Sequence, residues 1–195
     1  MEHDPEALQD HLDRYAELVR ASPHNLLSRA GLEALEDRHI PECVRFARRL
    51  PQGPRLLDVG SGGGLPGIVI AIVRPDLELH LLEATTKKAR FLTEAAETLG
   101  LVVEVHNGRA EEFAGGPLRG AFDLVTARAV APLQKLVGLC GPFLASGGQI
   151  HAIKGERWAA EVTDATSEMR RVGLRVLADP TDTPELDPKV VVLGR

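Results

Sequence analysis

The chain has 195 residues, 44% of them hydrophobic, and a formal net charge of −5. That length holds one domain plus an extension, and that charge argues against a protein that coats nucleic acid through bulk positive charge. The longest apolar run, residues 68–73, is too short to cross a bilayer and no basic-then-apolar leader opens the sequence, so a cytoplasmic protein with no membrane contact is expected.

Asp4-Pro5-Glu6 reads as a helix start, with Asp4 as N-cap and proline in the first turn. Leu8, Leu12, Tyr15 and Val19 continue it as one apolar stripe, and Ser22-Pro23 ends it. A short helical piece passes through Leu32 and Leu35. A further helix from about His39 to Leu50 buries Ile40, Val44 and Ala47 and turns its arginines to solvent. Between Arg38 and Arg55 five arginines (38, 45, 48, 49 and 55) face one acid, Glu42, making a local basic patch. Pro51-Gln52-Gly53-Pro54 breaks the chain. Residues 1–54 are therefore expected to form a helical lid on a second domain, 55–195.

That domain opens with Arg55-Leu56-Leu57-Asp58-Val59, a central parallel strand. Gly60-Ser61-Gly62-Gly63-Gly64-Leu65-Pro66-Gly67 follows, and a helix starts near Leu65 and runs to Val73. A glycine loop between a strand and a helix offers free backbone N–H groups and a helix-dipole end to a nucleotide-like ligand. Leu77 to Leu82 is the second strand and ends in Glu83. Thr85 or Thr86 caps a helix closed by Gly100, and Leu101 to Val105 is the third strand. The turn Asn107-Gly108 leads to Arg109-Ala110-Glu111-Glu112. Phe122 to Thr126 is the fourth strand, ending in Ala127-Arg128-Ala129, and Pro132 opens a helix to Ala145. Gln149 to Ile153 is the fifth strand and ends in Lys154-Gly155. A helix from Glu156 to Val172, a sixth strand from Leu174 to Leu177, a turn with Pro180, Pro184 and Pro188, and a seventh strand from Lys189 to Leu193 complete the chain.

Strands alternating with helices predict a parallel sheet with right-handed crossovers. The last two strands have no helix between them, so they can only be antiparallel neighbours. The expected fold is α/β and Rossmann-like, with seven strands, mostly parallel and one reversed. A carboxylate 23 residues past Gly60 lies at the spacing at which ribose hydroxyls are held.

Two nucleotide ligands compete for the loop. Gly62 to Gly67 fits G-x-G-x-x-G, the NAD pattern, which alone is weak. Asp58 to Gly64 fits D-x-G-x-G-x-G, the loop of S-adenosylmethionine-dependent methyltransferases. A carboxylate inside the loop repels a pyrophosphate and suits a ligand carrying an ammonium and a sulfonium. The reversed strand also belongs to the class I methyltransferase form of the fold. At the strand ends lie Asp58, Glu83, Arg128 and Lys154. No N-P-P-Y, D-P-P-Y or Pro-Cys follows the fourth strand. No histidine or metal cluster offers a general base, and Cys43 and Cys140 read as small buried apolar residues, so no metal is expected. Cations beside the loop suit an acceptor whose nucleophile is already a free lone pair, such as guanine N7, with Arg128 and Lys154 as the candidate catalytic residues. A small-molecule acceptor, its carboxylate held by Arg128 or Lys154, remains the alternative.

The run from Leu57 to Gly67 with Val73-Arg74-Pro75 resembles the bacterial small-subunit ribosomal RNA guanine-N7 methyltransferases, the RsmG or glucose-inhibited division protein B family. Leu82-Glu83, 87–92, 108–112, 127–133 and Ile153-Lys154-Gly155 carry the same likeness, as do Asn25-Leu26 and Arg38-His39-Ile40. The resemblance implies an S-adenosylmethionine site lined by Gly60, Leu65, Glu83, Ala110, Glu111 and Arg128, joined by Asp58, Gly62 and Gly64 of the loop. It also implies that Lys154 and the helical segment, with Asn25, Arg38, His39, Arg45 and Arg48, face 16S rRNA or the small ribosomal subunit. A monomer is expected.

Overall fold

The computed structural model describes residues 5–52, 54–182 and 187–195. The expected cap at Asp4 and the proline at 184 lie outside them. Seven strands form one sheet: β1 (Arg55–Val59), β2 (Glu78–Glu83), β3 (Val103–Asn107), β4 (Phe122–Arg128), β5 (Leu144–Lys154), β6 (Arg175–Ala178) and β7 (Lys189–Gly194), in the order β3-β2-β1-β4-β5-β7-β6. β7 runs antiparallel to both β5 and β6, and every other pairing is parallel. The reversed strand is thus inserted between its two neighbours, and β6 takes the edge.

The helices are α1 (Pro5–Ala21), α2 (Arg29–Glu33), α3 (Ile40–Arg49), α4 (Gly67–Val73), α5 (Thr86–Leu99), α6 (Ala110–Phe113), α7 (Leu133–Cys140) and α8 (Trp158–Val172). A π-turn over Leu35–His39 joins α2 to α3, with the amides of Arg38 and His39 both donating to the Ala34 carbonyl. Several boundaries differ from those read in the sequence, and at two of them the cause is plain. β3 begins at Val103, because the Leu101 amide turns back to the Ala96 carbonyl and closes α5 around left-handed Gly100. α7 stops at Cys140, because Pro142 cannot extend it; Leu144 already belongs to β5, paired with Phe122.

The helical segment shares its core with the sheet. Tyr15, Val19, Leu35, Cys43, Phe46 and Ala47 pack in one buried cluster with Leu56, Leu81 and the whole of α4. α4 is apolar and buried on every side. It starts so close to the sheet that a Cβ on Gly67 would stand 2.5 Å from Leu81, which is why glycine follows Pro66. Helices α7 and α8 cover the other face with a second cluster around Phe122, Phe143 and Met169. The carboxyl ends of β1, β2, β4 and β5 are left to the loops.

Candidate functional site

The glycine loop leaves β1 and is held by β2. The Gly60 and Ser61 amides both donate to the Leu82 carbonyl, at 2.8 and 3.2 Å. Gly60 has φ +72°, and a Cβ there would stand 2.6 Å from Val130, so only glycine lets the loop and the turn after β4 meet this closely. The Gly64 amide closes the bend on the Ser61 carbonyl at 2.7 Å, and its own carbonyl accepts the Ile68 amide at 2.8 Å.

Glu83 is the hinge of this half of the site. It is buried at the end of β2, and its two carboxylate oxygens accept from the Gly62 amide at 2.8 Å and the Thr85 amide at 2.7 Å. One side chain thereby ties the glycine loop to the start of α5. From the next strand, the Asn107 side-chain amide and the Gly108 amide donate to the Glu83 carbonyl at 2.9 and 3.1 Å. Ala110 and Glu111 open α6 just beyond. Glu112 takes the capping role, accepting from the Arg109 amide at 3.0 Å, which leaves Glu111 exposed in the first turn.

Two predicted ligand-lining side chains point elsewhere. Asp58 is fully buried beneath the loop: Oδ1 accepts from Thr126 at 2.9 Å, and Oδ2 lies against Gly67 with no hydrogen bond. Burial pushes its carboxyl up to a pKa of about 6. It braces β1, β4 and α4 and does not line a mouth. Leu65 gives its side chain to the core with 9% exposure, so only its backbone is left for a ligand.

The two cations are committed as well, and neither pairs with Asp58 or Asp123. Arg128 reaches the helical segment, donating to Nδ1 of His39 at 2.7 Å, Sγ of Cys43 at 3.0 Å and Oε2 of Glu42 at 3.1 Å. Burial, then the Arg128 charge, hold His39 below its usual pKa, so it stays neutral and accepts that bond. Arg38 clamps the same Glu42 at 2.6 Å from outside. Lys154 pairs with Glu161 at 2.9 Å and donates to the Ala131 carbonyl at 2.8 Å, while Glu161 also accepts the Leu133 amide at 2.8 Å. These bonds pin the turn after Arg128, where Ala129 sits at φ +55°, a strained value for a residue with a Cβ. Lys154, expected to face RNA, is nearly buried here and its ammonium is paired, so in this structure it braces that turn.

The remaining predicted contacts separate into two places. Asn25 lines a cleft of about 390 Å³ with His24, Thr85, Lys87 and Lys88, at the start of α5. Arg45 and Arg48 line a groove between α1 and α3 on the other side of the segment. Arg45 bonds Asp187, and Arg55 pairs with Glu78 at the amino end of the sheet, so the five arginines do not form one surface.

Sequence reasoning missed Tyr15 and Thr126. The Tyr15 hydroxyl, buried on the apolar stripe of α1, donates to the Gly63 carbonyl at 2.7 Å, and Leu26 packs on the same glycine. The stripe marks Tyr15 as buried, but its partner is 48 residues away. The thiols of Cys43 and Cys140 are pushed to about 12 by burial and are inert at neutral pH.

The arrangement can hold an adenosine-type ligand. An acid fixed at the ribose spacing lies within one connected loop system, whose bend packs too closely on Val130 to admit a Cβ at Gly60. No helix of the described residues is long and apolar enough to cross a membrane.

A family model described as rRNA small subunit methyltransferase G matches residues 8–182. A protein of that name from Thermobifida fusca is 45% identical over 161 residues, covering 81% of this chain and 67% of the relative. One from Salinispora tropica is 46% identical over 144 residues, covering 70% of this chain and 59% of the relative. The chain thus spans about three-fifths to two-thirds of these relatives' length. Among solved structures, a point mutant of MtNAS in complex with S-adenosylmethionine shares the fold at a TM-score of 0.63 and 19% identity, over 95% of this chain and 72% of that one.

Proposed function

Because the chain belongs to the rRNA small subunit methyltransferase G family, we propose that it transfers a methyl group from S-adenosylmethionine to N7 of a guanine in the decoding-region loop of 16S rRNA. It acts in this reading as a cytoplasmic monomer on the RNA or on the small ribosomal subunit. The observation that carries the cofactor half is the Glu83 carboxylate, fixed by the Gly62 and Thr85 amides at the lip of the glycine loop. Held there, S-adenosylmethionine supplies an electrophilic methyl group on a sulfonium.

In this reading Glu83 holds the ribose hydroxyls through the lone pairs its two amide bonds leave free. The Gly63 amide and the loop carbonyls receive the amino-acid end, since the Gly60, Ser61, Gly62 and Gly64 amides already donate within the protein, and Ala110 with Glu111 meets the adenine edge. Guanine N7 attacks with its in-plane lone pair; the nitrogen–carbon bond forms as the carbon–sulfur bond breaks, and the positive charge passes to the ring. No proton leaves N7, so the chain needs no general base. Its residues act by alignment and exclusion of water, where orientation alone supplies roughly 7–11 kcal/mol. The cleft beside Asn25, Lys87 and Lys88, open at the same end of the sheet, offers its cations to RNA phosphates.

The test is methyl incorporation into 16S rRNA from a strain lacking this modification. Labelled 7-methylguanine after digestion supports the reading, and label absent from that base sinks it. Charge reversal at Lys87 and Lys88 is expected to lower incorporation while leaving S-adenosylhomocysteine binding in place. Unchanged incorporation would place the RNA contact away from this cleft, while no incorporation into rRNA by the parent favours a small-molecule acceptor.

A further inference from the structure

Away from the loop end, on the opposite side of β2, lies a histidine–carboxylate cluster that the methyl-transfer reading does not use. We infer that His80, Glu104 and His106 form a binding site for a divalent transition-metal ion of the zinc class, which clamps the edge strand β3 to β2. His80 stands opposite Glu104 in the parallel pairing, and His106 lies two residues further along β3, so the three side chains share one sheet face. Nδ1 of His80 is 2.9 Å from Nε2 of His106. The Glu104 carboxylate is 3.5 Å from the first nitrogen and 3.6 Å from the second. A tetrahedral ion with bonds of about 2.0–2.2 Å sets its ligand atoms roughly 3.3 Å apart, and the three separations bracket that value.

Nε2 of His80 lies 3.2 Å from Oε1 of Glu78 and 3.3 Å from Nη2 of Arg55. The tautomer that binds a metal is the one whose Nε2 proton goes to Glu78, the arrangement of carboxylates behind metal-bound histidines. The Nδ1 lone pair of His80 is then free toward the cluster. Without an ion, the His106 Nε2–H donates to it, the two rings lying within 1° of parallel and meeting at their nitrogens. On metal uptake that proton moves to Nδ1 of His106 through solvent, and both imidazoles remain neutral ligands.

The local charge also permits a cation. Arg55 lies 3.3 Å from His80, but Glu78 pairs with it at 2.7 Å and the Phe122 ring lies beneath it at 5.0 Å. Glu104 then contributes the uncompensated negative charge. Its side chain is exposed, which gives the ion an entry path and leaves a fourth position for water. Two imidazoles and one carboxylate suit zinc, cobalt or nickel better than calcium or magnesium. Cysteine spacing could not point to this site, since its ligands come from two strands that meet only in the sheet.

The experiment is a titration of the untagged, metal-stripped full chain with Co²⁺, read by visible absorption and followed by displacement with Zn²⁺. One Co²⁺ per chain with the strong bands of tetrahedral coordination is expected. Glu104→Ala should weaken it at least tenfold, His106→Gln should abolish it, and the melting temperature should rise with Zn²⁺ only in the parent. Weak, unsaturated uptake with octahedral bands would overturn the site, as would binding by the variants as tight as by the parent. If His106→Gln does not fold, Glu104→Ala decides alone, because that side chain is exposed and holds no core contact.

Discussion

At the carboxyl ends of β1 and β2 the group that would hold a ligand is a carboxylate with lone pairs to spare, whereas at the ends of β4 and β5 such groups are cationic side chains already paired with protein. Gly62 and Thr85 hold Glu83 in place without consuming its remaining lone pairs. Arg128 and Lys154 instead answer Glu42 and Glu161. The difference follows from solvation. A carboxylate fixed by two chain amides keeps lone pairs for a ligand, while a cation near a core must be neutralised locally or it destabilises the fold. The first side therefore keeps a carboxylate with unused lone pairs, and the second holds the helical segment and the turn after β4 in position.

That contrast breaks most visibly at Arg128. Arg128→Ala leaves the buried Glu42 without its inner partner and should destabilise the chain by about 3–5 kcal/mol in urea denaturation. A stability unchanged by the substitution would mean that Arg128 serves only a ligand. Asp58 sharpens the same point through pH. Its folded carboxyl is raised from 3.8 to about 6, so the native state binds more protons than the unfolded state between those values. Stability from this group falls as pH rises through that window, by about 3 kcal/mol in all. In Asp58→Asn this part of the slope should vanish when denaturation is measured from pH 4 to 7. An identical slope in the variant would place the charge in water instead. The smallest effect is expected at Tyr15→Phe, about 1 kcal/mol for the buried Gly63 carbonyl left without its donor, again by denaturation.

The same division governs what could be read from the residues alone. The seven-stranded sheet with its reversed strand was legible because helix and strand periods alternate along the chain and no helix separates the last two strands. Glu83 was legible because its distance from Gly60 is a feature of one βαβ unit. Asp58 was read as a ligand-facing carboxylate, and the sequence holds no sign that Thr126, 68 residues away, bonds it under the loop. Arg128 and Lys154 were placed correctly at strand ends, but their partners Glu42 and Glu161 come from α3 and α8, and only tertiary packing decides which charge they meet. The basic run from Arg38 to Arg55 read as one patch because it is continuous in sequence. Folding sends Arg55 to Glu78 and Arg45 to Asp187.

The central claim, that the loop held by Glu83 is the methyl-donor site, is tested most directly by calorimetric titration of the chain and of Glu83→Gln with S-adenosylhomocysteine, beside NAD. One molecule of S-adenosylhomocysteine should bind per chain in preference to NAD. Loss of the charge-assisted bonds, worth roughly 1.5–3 kcal/mol, should weaken that binding about 10- to 100-fold in the variant. Equal affinity in the two proteins, or NAD bound more tightly, would contradict it.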